Sequence, residues 1–258
     1  MRATTVIGII IALGSLVVAF IIDGGAISAL LNPTAALIVF GGTIGATTVC
    51  FSMQELKAIP KLIKISIFKE LPDEAVLIEN LIDLSDSVRR EGILYLEKQQ
   101  EPFEDSFMHK GIQLVVDGIE PEMVRMIMET EMYTIREHNN TGIGIFEAAG
   151  GFAPTMGIIG TVMGLVHVLG NLSNPETLGP AIALAFIATL YGIGSANILW
   201  LPIAAKLRNL SEKEDILREL MLEGLLSIQA GYNPIIVRER LTAFLRPGRR
   251  QDDEEWSE

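Results

Sequence analysis

Few side chains in the apolar part of this 258-residue chain can do chemistry. Between Phe146 and Leu169 the only ionisable groups are Glu147 and His167, one near each end. Thr161 lies beside a row of small residues, Ala153, Gly157, Gly160 and Gly164, spaced by four, three and four so that they share one helical face. A second apolar run repeats the device: Ala181, Ala185, Thr189, Gly192 and Ala196 form a smooth face with one hydroxyl in it. No Asp, Glu, Lys or Arg lies in the middle of either run. A bare ion in hydrocarbon is costly, so a conducting path needs polar groups at depth. Two hydroxyls and one histidine could help coordinate a passing ion or hold a water, but they cannot carry a proton relay alone. Each threonine could equally bond back to its own helix. If this chain conducts ions, another chain must bring the carboxylate. The two smooth faces then surround that partner's helix, or they pack on each other inside one subunit. Glu147, near a helix end where it can reach water, reads as structural or as lining an exit.

The elements that carry these groups are apolar segments long enough to cross a bilayer. Thr4 to Ile22, Thr34 to Phe51, Phe146 to Leu169 and Ala181 to Ala205 each approach the ~18–20 apolar residues a span requires. Met1-Arg2 followed by an apolar run resembles a signal peptide. The run is longer than a signal core and a second apolar segment follows at once, so it reads as a span. Within the third span Pro154 removes one internal hydrogen bond and invites a bend. In the second, Gly41 and Gly45 form a small-xxx-small pair. The surrounding glycine-rich run lacks the lysine of a phosphate loop, which excludes nucleotide binding there.

Lysine and arginine set the orientation. The links Asp23 to Pro33 and Gly170 to Pro180 carry none, whereas Lys57, Lys61, Lys64 and Lys69 follow the second span and Lys206, Arg208 and Lys213 follow the fourth. The positive-inside rule then places both termini and the long central segment in the cytoplasm. A net charge of −12 argues against nucleic acid as a partner, and the single cysteine, Cys50, with no Cys/His pattern, argues against a disulfide or a metal site. Nothing in the chain calls for a cofactor or an enzyme active site.

Outside the spans the pattern is helical throughout. Met53 to about Phe68 reads as a basic amphipathic helix at the membrane surface. Asp73 to Glu97, interrupted late by Gly92, and Met108 to Val116 follow. From Pro121 and Val124 a helix runs towards the third span and is expected to be continuous with it. The fourth span is expected to continue past Pro202 through Leu207 to Ile228, and a last helix covers Ile235 to Leu245. Arg89 and Glu97 are eight apart and would share one side of an unbroken helix; a charged face of this kind is usually just solvated. The expected fold is all-α: four transmembrane helices, two of them extended into the cytoplasm and carrying a helical cytoplasmic domain. The expected division is 1–52 (spans one and two), 53–143 (cytoplasmic domain), 144–205 (spans three and four), 206–246 (C-terminal helices) and a disordered tail over 247–258.

Several stretches together resemble one family. Ala153-Pro154-Thr155-Met156-Gly157-Ile158-Ile159-Gly160-Thr161-Val162-Met163-Gly164-Leu165 is similar to the third span of the flagellar motor stator A subunit, the MotA/PomA family. Gly179-Pro180-Ala181, Ala188-Thr189-Leu190-Tyr191-Gly192 and Ala196-Asn197 are similar to its fourth span, and Asp117-Gly118-Ile119-Glu120-Pro121-Glu122 and Gly231-Tyr232-Asn233-Pro234 to further signatures. The related TolQ and ExbB energisers share the last two spans but have three in all. The resemblance implies a pentameric ring of A subunits in the bacterial inner membrane around a dimer of a MotB/PomB-like B subunit, which supplies a membrane Asp and a peptidoglycan-binding domain. Ion flow would turn the ring and drive the rotor. By the same resemblance Arg89 and Glu97 match the charged pair facing the rotor protein FliG. Pro154 and Pro202 match two prolines tied to conformational change, and Thr161 and Thr189 match hydroxyls near the partner's Asp. Sodium-driven members tend to have Thr-Thr before Leu-Tyr-Gly. Ala188-Thr189 here leans the implied ion towards protons, although Thr161 also occurs in sodium-driven relatives. A TolQ/ExbB-like energiser and a non-conducting membrane scaffold ring are the alternatives.

Overall fold

The computed structural model describes residues 2–98, 105–170, 172 and 175–245. The tail over 247–258 lies outside them. In chain order the helices are α1 (Arg2–Ile22), α2 (Pro33–Ala36), α3 (Gly42–Cys50), α4 (Met53–Leu56), α5 (Ile59–Phe68), α6 (Glu74–Glu91), α7 (Tyr95–Lys98), α8 (Ser106–Val116), α9 (Pro121–Gly170), α10 (Pro175–Ser195), α11 (Leu201–Gln229) and α12 (Pro234–Thr242). The fold is all-α. Among the described residues four helical stretches are long and apolar enough to cross a membrane: Thr5–Ile22, Ile27–Cys50, and stretches within Pro121–Gly170 and Leu178–Gln229.

Two of these stretches contain a wide turn that hydropathy does not signal. Leu37–Gly41 joins α2 to α3 and Ala196–Trp200 joins α10 to α11, both as π-helix. The second has a visible cause. Pro202 brings no amide, and one residue earlier the Leu201 N–H donates to Ala196 O, five residues back. The fourth span therefore passes its proline without ending, as expected. α9 is likewise continuous over 50 residues with Pro154 inside it. The basic amphipathic segment, expected as one helix from Met53, is two. Ser52 caps α4 in a reciprocal box with Glu55, and a turn at Lys57 and Ala58 separates it from α5. The Ser52 amide and hydroxyl hold the Glu55 carboxyl below its ordinary pKa.

The chain forms two compact units. The first comprises Met1–Glu70 and Asn139–Asn209 and holds the apolar spans. α1 exposes large residues around its surface, including Ile10 (63%) and Ile11 (64%), as a lipid-facing helix does. Span two turns one face inward through Ala35, Val39, Thr43 and Thr47, at spacings of four. A small core gathers Ile143, Phe146, Ala204 and Leu207, with Ile59, Leu62 and Ile63 of α5 packed on it.

The second unit comprises Leu71–His138 and Leu210–Glu258. Its core is built from large side chains. Leu81, Ile112, Met128, Leu220 and Leu225 have no exposure. Asp73, Asp105 and Asn233 cap α6, α8 and α12 by accepting backbone amides at 3.0, 2.8 and 3.1 Å. Charges here are paired: Arg136 with Asp215 at 2.8 Å, Arg218 with Glu214 and Asp215 at 3.0 and 3.3 Å, and Arg238 with Glu79.

Candidate functional site

The site lies where α9 and α10 meet inside the first unit. Ala153, Gly157, Gly160 and Gly164 of α9 and Ala181, Ala185, Ala188 and Gly192 of α10 are all buried. The glycines are there because nothing larger fits. A Cβ on Gly192 would lie 2.6 Å from Ala153 O, and one on Gly157 would lie 2.8 Å from Ala188 O. A Cβ on Gly164 would come within 3.0 Å of Ala181 O. Backbone faces backbone along this seam, the close approach that small residues permit. Of the two arrangements open from the spacing, the structure adopts packing of the two smooth faces on each other. α10 contributes Ala188 to the seam, with its Cβ against Gly160.

Thr161 and Thr189 sit together at the edge of this seam, each half-buried. Their hydroxyls hydrogen-bond one another across the two helices. Thr161 Oγ1 also lies 3.1 Å from Gly157 O on its own helix and 3.0 Å from Ala185 O on the other. Thr189 Oγ1 lies 3.4 Å from Ala185 O. The back-bonding expected of a threonine in a helix is thus present, and a cross-helix pair is added to it. The chemical consequence follows from counting. One hydroxyl donates to the oxygen of the other, whose own proton goes to a carbonyl, while oxygen lone pairs remain. Such a pair can accept a hydrogen bond from a protonated carboxyl or help coordinate a cation.

Around the pair the outer faces of both helices carry large apolar side chains. Ile158 and Val162 of α9 and Phe186 and Ile193 of α10 are each more than half exposed. Neither helix therefore offers its smooth face to a passing helix; it offers these apolar edges and the threonine pair.

Two further polar contacts were not anticipated. The Tyr191 hydroxyl donates to Leu30 O and accepts from the Asn32 N–H at 3.2 Å. It ties α10 to the turn that starts span two, and Asn32 in turn caps α2 through Ala35 N at 3.0 Å. Tyr191 stands inside the Leu-Tyr-Gly run already singled out, but spacing along one helix cannot reveal a partner in another. The second contact is Glu147. Its carboxylate accepts from Arg208 Nη2 at 2.6 Å, with both side chains about half exposed. The expected reach to water is there, and a cation is beside it.

Pro154 lies inside α9 one turn after Gly150, where a Cβ would meet Leu201 at 2.6 Å. Pro202 follows the π-turn in α11. Arg89 and Glu97 are both exposed but do not share a helix. Gly92, with φ +90°, ends α6 after Glu91, and Glu97 belongs to the short α7. The left-handed backbone that Gly92 adopts is open to glycine at little cost and strained for other residues. Among the described residues no cluster of His, Cys, Asp and Glu could hold a metal ion.

Comparison with known proteins agrees with this architecture. Residues 99–219 match the MotA/TolQ/ExbB proton channel family and residues 6–92 match the motility protein A N-terminal family. The chain is 40% identical over 249 residues to Motility protein A of Bacillus subtilis (strain 168), covering 95% of this chain and 91% of that one. It is 34% identical to the Chemotaxis protein PomA of Vibrio alginolyticus, over 97% and 98%. A chain in the structure of the flagellar MotAB stator complex from Bacillus subtilis superposes with a TM-score of 0.90 at 38% identity, covering 99% of each. On this evidence the chain is a multi-pass membrane protein that belongs to the MotA/PomA family of flagellar stator A subunits within the MotA/TolQ/ExbB superfamily.

Proposed function

We propose that this chain is the A subunit of an ion-driven flagellar stator, converting ion flow through the membrane into torque. Kinship with motility proteins supports the role. The observation that carries the mechanism is the Thr161–Thr189 hydroxyl pair, set in helices with no ionisable group at mid-depth. Such a pair can serve a carboxylic acid but cannot replace one. A B-type partner therefore supplies the titrating group, as a MotB/PomB-like dimer with its membrane Asp would. Oligomeric assembly accompanies that partner, and a pentameric ring is our reading of its size.

Within this scheme Thr161 and Thr189 line the ion path near the partner's Asp, and Ala188, expected beside them in the path, is instead buried behind them against Gly160. The exposed apolar edges of α9 and α10 offer a surface without long polar side chains to lock a neighbouring helix in one register. Protonation removes the partner's charge and changes which register it prefers. Glu147, held by Arg208, lies at the cytoplasmic exit. Pro154 and Pro202 are the hinges. Arg89 and Glu97 project to FliG from either side of the Gly92 break. The lysine and arginine distribution supports a reading with both termini cytoplasmic, and kinship with bacterial motility proteins supports the inner membrane as the location. Protons are the coupling ion, in keeping with Ala188 before Thr189.

The test is a Thr189→Leu variant co-expressed with its B-type partner, with assembly verified by mass. Swimming and ion leak should both be lost. Normal swimming in an assembled complex would make the chain a scaffold and overturn the reading.

A further inference from the structure

Lys61 and Lys64 stand three residues apart on one side of α5, and Lys57 lies in the turn that leads into that helix. The opposite side of α5 is committed to the protein. Ile59, Leu62 and Ile63 pack on Ile143, Phe146, Ala204 and Leu207, and the buried Ser66 hydroxyl donates to Ile63 O at 2.8 Å. The three lysines are exposed, and none has an acid partner among the described residues. Elsewhere Lys110, Arg125, Arg136, Arg208, Arg218 and Arg238 each hold a carboxylate. In a chain with 32 acids and 20 bases, these three neighbouring cations stand without an acid partner among the described residues, as Arg89, Lys206 and Lys213 do, so it is their position that singles them out.

Position says what faces them. The row begins seven residues after Cys50, where the apolar stretch Ile27–Cys50 ends. It is flanked by Met53, 62% exposed, and Phe68, 53% exposed. A helix at the foot of a span, with lysines on its open side and large apolar groups at its ends, suits the headgroup layer. Lysine stems lie along the apolar boundary while the ammonium groups reach the phosphates. We infer that Lys57, Lys61 and Lys64 form a binding surface for anionic phospholipid headgroups in the leaflet where span two ends. This rests on the chain being a membrane protein and is independent of the stator reading.

The test uses the full chain with Trp256→Phe, which leaves Trp200 as the only indole. Trp200 packs beside Phe146, ring centroids 6.5 Å apart, in the same apolar cluster as α5. The protein is reconstituted in phosphatidylcholine vesicles containing brominated phosphatidylglycerol or, at equal mole fraction, brominated phosphatidylcholine. Quenching of Trp200 should report a preference for the anionic lipid of roughly fivefold or more at low salt. The preference should fall towards none in about 1 M NaCl, where the screening length is about 3 Å. The triple variant Lys57→Gln, Lys61→Gln, Lys64→Gln should lose it, and the triple Lys→Arg variant should keep it. If the triple glutamine variant loses helix by circular dichroism, Lys61→Gln alone should still lower the preference measurably. Equal quenching by the two lipids in the parent protein would overturn the proposal, as would a preference that survives the glutamine changes. So would a change of oligomeric mass in the glutamine variant with lipid preference intact, which would assign the lysines to the acidic surface of a second copy.

Discussion

The two units of this chain are held together by opposite means. In the apolar unit, α9 and α10 meet where side chains are smallest, Gly157 and Gly164 against Ala188 and Ala185. In the charged unit, the helices meet where side chains are largest, Leu81, Met128, Leu220 and Leu225. The difference follows from the solvent. Next to lipid there is no gain in hiding a leucine, because the tails are as apolar as the side chain. Helices gain instead by bringing backbones close. In water the gain comes from the apolar area hidden, about 25 cal/mol per Å², so large side chains serve best. The charges follow the same division. Arg136, Arg218 and Arg238 are paired in the second unit, while the middle of each span has no charged residue to pair.

The contrast predicts that one unit is intolerant of lost atoms and the other of added ones. Leu225→Ala should produce the largest effect, a loss of about 2–5 kcal/mol in the second unit, since Leu225 is fully buried in its core. Hydrogen exchange followed by mass spectrometry should localise the loss to α8 and α11. Gly192→Ala comes next. Its new methyl group would lie 2.6 Å from Ala153 O and 3.0 Å from Gly157 Cα, backbone atoms that cannot rotate away, and should cost about 1–3 kcal/mol. Gly111→Ala is the control. Its methyl group would meet Leu225 Cδ1 and Met128 Cε, the mobile ends of two side chains, while alanine favours the helix by about 1 kcal/mol. The net should stay within about 1 kcal/mol of the parent. Comparable melting temperatures for Gly192→Ala and Gly111→Ala, measured side by side, would break the comparison.

The smallest effect on stability is expected at Arg208→Gln. Its pair with Glu147 is short but half exposed, so thermal melting should move by no more than about 1 kcal/mol. If Glu147 lines an ion exit, conductance of the assembled complex should change while melting does not. A change in melting without a change in conductance would make the pair structural and leave the exit elsewhere.

Hydropathy alone located the four spans, since the need for about twenty apolar residues is a local property of the chain. The start of a helix at Asp73 was equally legible, while the capping itself came with the structure, where Asn32, Asp73 and Asn233 accept the amides that helix starts leave open. The continuity of α9 and of the fourth span was foreseen because the apolar rhythm does not stop at Pro154 or Pro202. The threonines were found because one hydroxyl falls within a smooth face, at Thr189, and another beside one, at Thr161. Their hydrogen bond to each other was not, because residues 28 apart in sequence carry no mark of contact.

Periodicity says which residues share a side of a helix; it does not say what covers that side. That is why Gly157 and Gly192 were identified as a contact surface from their spacing, while only the folded chain chose α9 and α10 as each other's partners. The same reason applies to Tyr191, whose partners Leu30 and Asn32 are remote in sequence. It applies again to Arg89 and Glu97, which an unbroken helix would align and which the positive φ of Gly92 places on two helices. Lengths, polarity and caps are properties of neighbours along the chain. Pairings depend on which backbones can approach, and that is settled only when all the helices compete for the same space.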